Sequence, residues 1–179
     1  MIDHTTFKLI KDKYGHCASW AVWADAGENP KDNIGDLSIF KIEETVGLLR
    51  LLRPDVILVG LNFSRGSVPF TLGNFHDRRP QSQDYKLRYA LKDTPLWGAY
   101  ITDIIKDFDQ KASGKVMAYL RNNRSFEKAN VDRFREELRD LGVDQPTIIA
   151  LGEAAFKVLT RNLGGQYRVL KLPHYAKYM

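Results

Sequence analysis

Three polar residues and one glycine stand at the ends of runs that read as strands. Asn62 follows Asp55-Val-Ile-Leu-Val-Gly-Leu61, and Asp103 follows Gly98-Ala-Tyr-Ile-Thr102. Gly152 follows Gln145-Pro-Thr-Ile-Ile-Ala-Leu151, and His174 follows Tyr167-Arg-Val-Leu-Lys-Leu-Pro173. An amide orients water but is a poor base. An ionised carboxylate offers acceptors only, and an imidazole both donates and accepts. Each residue also has a structural use. Asn62 suits a strand-ending turn, Asp103 an N-cap for a turn over 104–107, and His174 a surface position beside Tyr175.

Other chemistries lack their residues. The single cysteine, Cys17, forms no intrachain disulfide and no thiolate metal site. The four histidines are scattered, and His76-Asp77 is at most half of a metal site. No Gly-x-Gly-x-x-Gly or Walker loop occurs. Asn62-Phe-Ser64-Arg-Gly66 lacks the glycine two before the serine of a nucleophile elbow. No cofactor is expected.

The residues at the ends need elements to bring them together. Asp55–Leu61, Gly98–Asp103 and Gln145–Leu151 read as buried strands, the first a continuous aliphatic and β-branched run, and Tyr167–Leu172 reads as a fourth strand. Glu43–Leu52, stopped by Pro54, Ser125–Leu141 and Glu153–Leu163 read as helices. Ala18–Ala24 suits an edge strand. Asn62–Trp97 is a long irregular stretch, with helical turns around Tyr85–Leu91, and loops of such length are usually functional. Alternation of strands and helices implies a parallel sheet covered on both faces, with ligands at the carboxyl ends of the strands.

Taken in order, these motifs resemble the uracil-DNA glycosylase superfamily. Val59-Gly-Leu-Asn-Phe63 resembles its first active-site motif, a Gly-x-Asn or Gly-x-Asp at the end of the first core strand. Pro173-His174-Tyr175 resembles its second motif, the His-Pro-Ser or Asn-Pro-Ser loop. Tyr100-Ile-Thr-Asp103 and Ile148-Ile-Ala-Leu-Gly-Glu-Ala-Ala155 resemble the intervening strands. The likeness runs from about Pro54 onward. It implies a three-layer α/β/α sandwich with a central four-stranded parallel sheet, as one domain over residues 1–179. It further implies hydrolysis of an N-glycosidic bond without a cofactor. Asn62 would place the water, and His174 would donate to the departing base. Phe75, or the competing Phe63, would stack a base flipped from its strand; Phe75 equally suits a loop anchor on the core. Gly60, Leu61 and Tyr175 complete the expected substrate contacts.

Three features depart from the family. Asp103 replaces the usual Asn, and suits an exocyclic amine or a base with two donors better than uracil. Tyr175 replaces the usual Pro or Ser. Five residues follow His174 where the family continues into a further helix, so an unsupported tail is expected there. Cys17 alone also excludes the branches with an iron–sulfur cluster.

A chain of 179 residues with 44% hydrophobic and 27% charged residues fits one ordinary domain. The net charge of +5 is compatible with a polyanion. Arg65, Arg78, Arg79, Lys86, Arg88 and Lys92 in the long loop, with Arg121 and Arg124, are candidate phosphate contacts; a solvated face is their other reading. No secretory signal and no membrane helix is read. The expectation is a cytoplasmic protein, monomeric and bound to DNA through basic loops. It is either a DNA base-excision glycosylase or an inactive nucleic-acid or nucleotide-binding relative of the same fold. An unrelated α/β enzyme acting on a small molecule is a third possibility, with no specific residues to support it.

Overall fold

The computed structural model describes residues 2–43, 45, 47–63, 70–106 and 108–177. The fold is α/β. Its strands are β1 (Ser19–Trp20), β2 (Arg53–Asn62), β3 (Ala99–Ile105), β4 (Thr147–Leu151) and β5 (Val169–Leu172). Its helices are α1 (His4–Tyr14), α2 (Leu48–Leu51), α3 (Asp84–Leu91), α4 (Ser113–Asn122), α5 (Arg124–Asp140) and α6 (Glu153–Leu163), with 3-10 turns at Ser38–Phe40 and Tyr175–Lys177. No helix among the described residues is long and apolar enough to cross a membrane.

The strands form one sheet in the order β1-β3-β2-β4-β5. β3, β2, β4 and β5 are parallel, and β1 lies antiparallel on β3. The expected four-stranded parallel sheet is therefore a five-stranded mixed one. The cause lies in residues 18–23, all of them buried. Buried backbone groups need partners. Ser19 and Trp20 pair with Ile101 and Tyr100, and beyond them the Ala21 N–H donates to the Ala99 carbonyl at 2.8 Å. The Trp20 ring packs edge-on against Tyr100, with centroids 5.1 Å apart.

Alternation along the strands divides the core. Ile57, Val59, Tyr100, Ile104, Ile148 and Ala150 pack with residues of α1, α4, α5 and α6. Val56, Leu58, Ala99, Ile101, Ile149 and Leu151 pack with Leu87 and Leu91 of α3, together with Phe75 and Trp23. Both faces of β2, β3 and β4 are thus largely dry, which is why those strands read as apolar runs, whereas the edge strand β5 is half-buried to exposed. In α6, Ala155, Val158, Leu159 and Leu163 recur at helical spacing and are all buried. In α5, Val131, Phe134 and Leu138 do the same.

Two local expectations need correction. The helix expected over Glu43–Leu52 is reduced to α2, because Gly47 precedes it in the left-handed region at φ +82°; Glu44 and Val46 lie outside the described residues. The turn expected over 104–107 is also absent through Ile105, because Ile104 and Ile105 extend β3 and Asn62 aligns with Ile105. Asp103 therefore sits within a strand and caps no turn.

The connection from β2 to β3 carries α3 on one face. The connection from β3 to β4 carries α4 and α5 on the other, and β4 leads through α6 to β5. Chain direction across the sheet thus reverses at β2. Such a reversal opens a crevice outside the carboxyl ends of the strands.

Candidate functional site

A cleft of about 1100 Å³ lies at those carboxyl ends. Gly60, Leu61, Asn62, Phe75, Asp103, His174 and Tyr175 all line it. Phe63 is not among its described lining residues; its N–H continues the sheet by donating to the Ile105 carbonyl at 3.0 Å.

Asp103 forms part of the floor. It is only 5% exposed and stands opposite Gly60 in the parallel register of β2 and β3. Its Oδ2 accepts from Asn74 Nδ2 at 3.1 Å. Its Oδ1 lies 2.2 Å from the point where a Cβ on Gly60 would stand. Glycine is needed there for the close approach of the carboxylate. The Asn74 amide is fully committed: Nδ2 also donates to the Cys17 carbonyl at 2.7 Å, and Oδ1 accepts from the Phe75 N–H at 3.1 Å. Asn74 is therefore a positioning residue for both Asp103 and Phe75.

Phe75 has φ +64°, a conformation costly for a bulky residue. Trp23 Nε1 holds it by donating to its carbonyl at 3.1 Å. The ring is buried against Gly60 and also borders the cleft, so one side chain serves as core anchor and as cleft wall.

Asn62 ends β2, and its Nδ2 donates to the carbonyls of Phe108 and Gln110, both at 2.8 Å. Two carbonyl partners on one atom identify that atom as nitrogen. The remaining polar atom is Oδ1, an acceptor. The side chain ties the segment after β3 to the end of β2, and brings only its oxygen to a water or ligand.

His174 packs over the start of α6. Gly152, at φ +98°, makes room for it: a Cβ at Gly152 would come within 3.1 Å of the histidine Cβ. The Ala176 N–H donates to His174 Nδ1 at 3.2 Å, so a neutral ring carries its proton on Nε2 and donates from there. Tyr175 stacks on His174, with centroids 4.8 Å apart, and its hydroxyl donates to Asp84 Oδ1 at 3.0 Å. Asp84 is buried at the start of α3 and also accepts the Asp77 N–H at 2.9 Å. The segment after β5, expected to lack support, is fastened to α3 by Tyr175.

The candidate phosphate contacts divide. Arg79, Arg121 and Arg124 line the cleft. Arg88 instead is buried, donating to the carbonyls of Ala24 at 2.9 Å and Pro30 at 2.7 Å, so it organises the loop. Lys92 pairs with Asp25 at 2.9 Å, and Arg65 lies outside the described residues. Lys111, Lys157, Arg161 and Lys171 also reach the cleft and carried no signal in the sequence reading. The only cue for Lys157 and Arg161 is their spacing of four on α6, which gives them one helix face.

Behind this wall sits Glu127, 3% exposed. It accepts from Asn162 Nδ2 at 2.7 Å and pairs with Arg161 and Arg124. Burial opposes its ionisation, but these hydrogen bonds and the two guanidinium charges outweigh burial and hold its carboxyl below the ordinary range.

The His76 ring lies in the core, with Nδ1 2.9 Å from the Asn74 carbonyl and Nε2 2.9 Å from that of Val22. No cluster of three or more His, Cys, Asp or Glu residues placed to hold a metal ion occurs among the described residues. Comparison of the chain with protein-family models, with curated proteins and with solved structures returned no match, so the functional reading rests on the cleft itself.

Proposed function

We propose that the chain is a cytoplasmic DNA base-excision glycosylase of the uracil-DNA glycosylase-like kind, with the α/β/α layering of that superfamily. The observation that carries the reading is the convergence of Asn62, Phe75, Asp103 and His174 on one basic-rimmed cleft at the strand ends. A base drawn out of its strand enters the cleft and rests against Phe75. Water held by Asn62 Oδ1 attacks the anomeric carbon as the glycosidic bond breaks. The electron pair of that bond leaves with the base, and the proton lost by the water ends on the departing base, which leaves neutral. His174 Nε2–H donates to the base where negative charge develops, a preorganised electrostatic effect.

Asp103 sets the class of base. A carboxylate held by Asn74 presents acceptors, so the edge it reads is a donor edge. An exocyclic amine fits it, and the O4 of uracil does not.

Asn62 favours a second reading. Both of its N–H groups are spent on tethering residues 108 and 110, a purely structural use. A nucleic-acid or nucleotide-binding protein without the reaction would keep that use.

The test is base release from labelled oligonucleotides, single-stranded and paired, carrying uracil, hypoxanthine, xanthine, ethenocytosine or amino-bearing bases. Release that disappears in His174→Ala, and shifts toward uracil in Asp103→Asn, supports the glycosylase. Binding without release from any substrate overturns it in favour of the binding protein.

A further inference from the structure

The charge around the cleft is unevenly distributed. On one side, Arg79 is matched by Asp77 at 3.0 Å, and the buried Asp84 and Asp103 lie nearby. On the other, cations outnumber their partners. Arg124 and Arg161 share the single carboxylate of Glu127. Lys157 and Lys171 share that of Glu153, at 3.5 and 2.7 Å. Each trio keeps one net positive charge. Lys111 and Arg121 have no ion-pair partner among the described residues and add one each. Counted over these described residues, four net positive charges thus stand along the wall formed by α4 with the segment just before it, α5, α6 and β5.

Helical spacing makes this wall continuous. Ser113, Met117 and Arg121 follow at intervals of four on α4, and Lys157 and Arg161 do so on α6; all five line the cleft. The wall is concave and leads to the polar floor at Asp103. A lipid surface is broad and flat, whereas a concave cationic wall beside a polar pit suits a chain of phosphates carrying one base to be read.

We propose that a nucleic-acid backbone runs along the α4–α6 wall, its phosphates held by Lys111, Arg121 and the two half-neutralised pairs, and does not follow the basic long loop. The inference rests on the nucleic-acid reading above and adds the track the strand takes. Four neutralised phosphates give a log–log salt slope of about −2.8 for single strands and about −3.6 for duplex. For single strands, affinity then falls about 50-fold between roughly 50 and 200 mM salt.

The experiment measures anisotropy of a fluorescein-labelled oligonucleotide, undamaged and in both strand states, across that salt range. Lys111→Gln/Arg121→Gln removes two exposed charges and buried nothing, so its fold is kept. Its single-strand slope should shrink to about −1.4, half the parent value. Lys8→Gln/Lys11→Gln on α1 removes the same charge away from the cleft and should leave the slope as it was. Equal effects of the two double variants, or binding to anionic phospholipid vesicles with none to oligonucleotides, would overturn the track. Base release is scored separately. A halved slope without base release leaves the track standing and removes the glycosylase, and release with an unaltered slope does the reverse.

Discussion

Gly60→Ala tests the close packing on which the Asp103 position depends. The new Cβ would stand 2.2 Å from Asp103 Oδ1, well inside contact distance. Its next side chain is Phe75, whose Cζ lies 3.4 Å away, an ordinary contact. The carboxylate must therefore move, and its bond from Asn74 at 3.1 Å goes with it. Overpacking of this kind costs about 1–3 kcal/mol. Against it stands the gain of about 0.4–1 kcal/mol from restricting the unfolded chain, since Gly60 lies in a strand and no positive φ opposes alanine. The net expectation is a loss of about 0–2.6 kcal/mol. In an Asp103→Ala background the obstructing oxygen is gone, only the gain remains, and the sign reverses. The double-mutant cycle should therefore give a coupling of about 1–3 kcal/mol. Urea unfolding followed by fluorescence of the three tryptophans measures all four proteins by linear extrapolation. If Gly60→Ala costs the same in both backgrounds to within about 0.5 kcal/mol, the carboxylate does not occupy that space, and its role as reader of a base edge falls with it.

Lys106 and Glu137 are 7% and 0% exposed in their side chains, with Nζ 2.8 Å from Oε2, and Glu137 also accepts from the Tyr100 hydroxyl. Lys106→Met strands that buried carboxylate and should cost about 3–5 kcal/mol in urea unfolding, whereas a loss below about 1 kcal/mol would contradict the pairing. The Glu127 carboxyl titrates below its ordinary 4.5 when folded, so the stability it adds is present above that pH and lost as pH falls toward the folded value. Glu127→Gln should flatten the acid limb of the urea midpoint against pH, and an unchanged limb would place the acid sensitivity elsewhere. Tyr175→Phe removes the hydroxyl held by Asp84 and should cost about 1.5–3 kcal/mol of docking, read as faster trimming by carboxypeptidase at unchanged global stability. Trimming at the parent rate would mean that the stacked rings, not the hydroxyl, fasten the segment.

The central strands were legible because both faces of each are buried, which leaves long aliphatic runs that nothing else in the chain imitates. α5 and α6 were legible by period. α1 and α4 were not. Only Phe7, Ile10 and Tyr14 of α1 are buried, and only Val116 and Leu120 of α4, so neither shows a sustained apolar stripe. α4 also has Gly114 in its first turn and no side-chain cap. The edge strand expected within Ala18–Ala24 is present as β1, shortened to two residues at the sheet edge and paired with β3.

The site divides along the same physical line. A parallel sheet gathers the ends of its strands on one side, so residue types at the ends of apolar runs announce a cleft without knowledge of the loops. This is how Asn62, Asp103 and His174 were found. What orients those side chains comes from far along the chain. Asn74 reaches Asp103 over 29 residues, Asn62 ties down Phe108 over 46, and Tyr175 meets Asp84 over 91. No local spacing encodes such pairs, and Asn74 sits in a loop where asparagine is ordinary. The same reasoning accounts for Phe63 and Phe75. Both were aromatic platforms by type, and the left-handed backbone at Phe75, stabilised by Trp23 and Asn74, is what turns its ring rather than that of Phe63 toward Gly60. A cleft whose floor requires a glycine, a strained phenylalanine and a fully committed asparagine around one buried carboxylate is built to hold that carboxylate still. A carboxyl group at 5% exposure needs polar partners, and the Asn74 amide supplies one. On the reading proposed above, the ligand that Asp103 meets is the donor edge of a base, and Gly60, Phe75 and Asn74 are what fix the carboxyl group at the cleft floor.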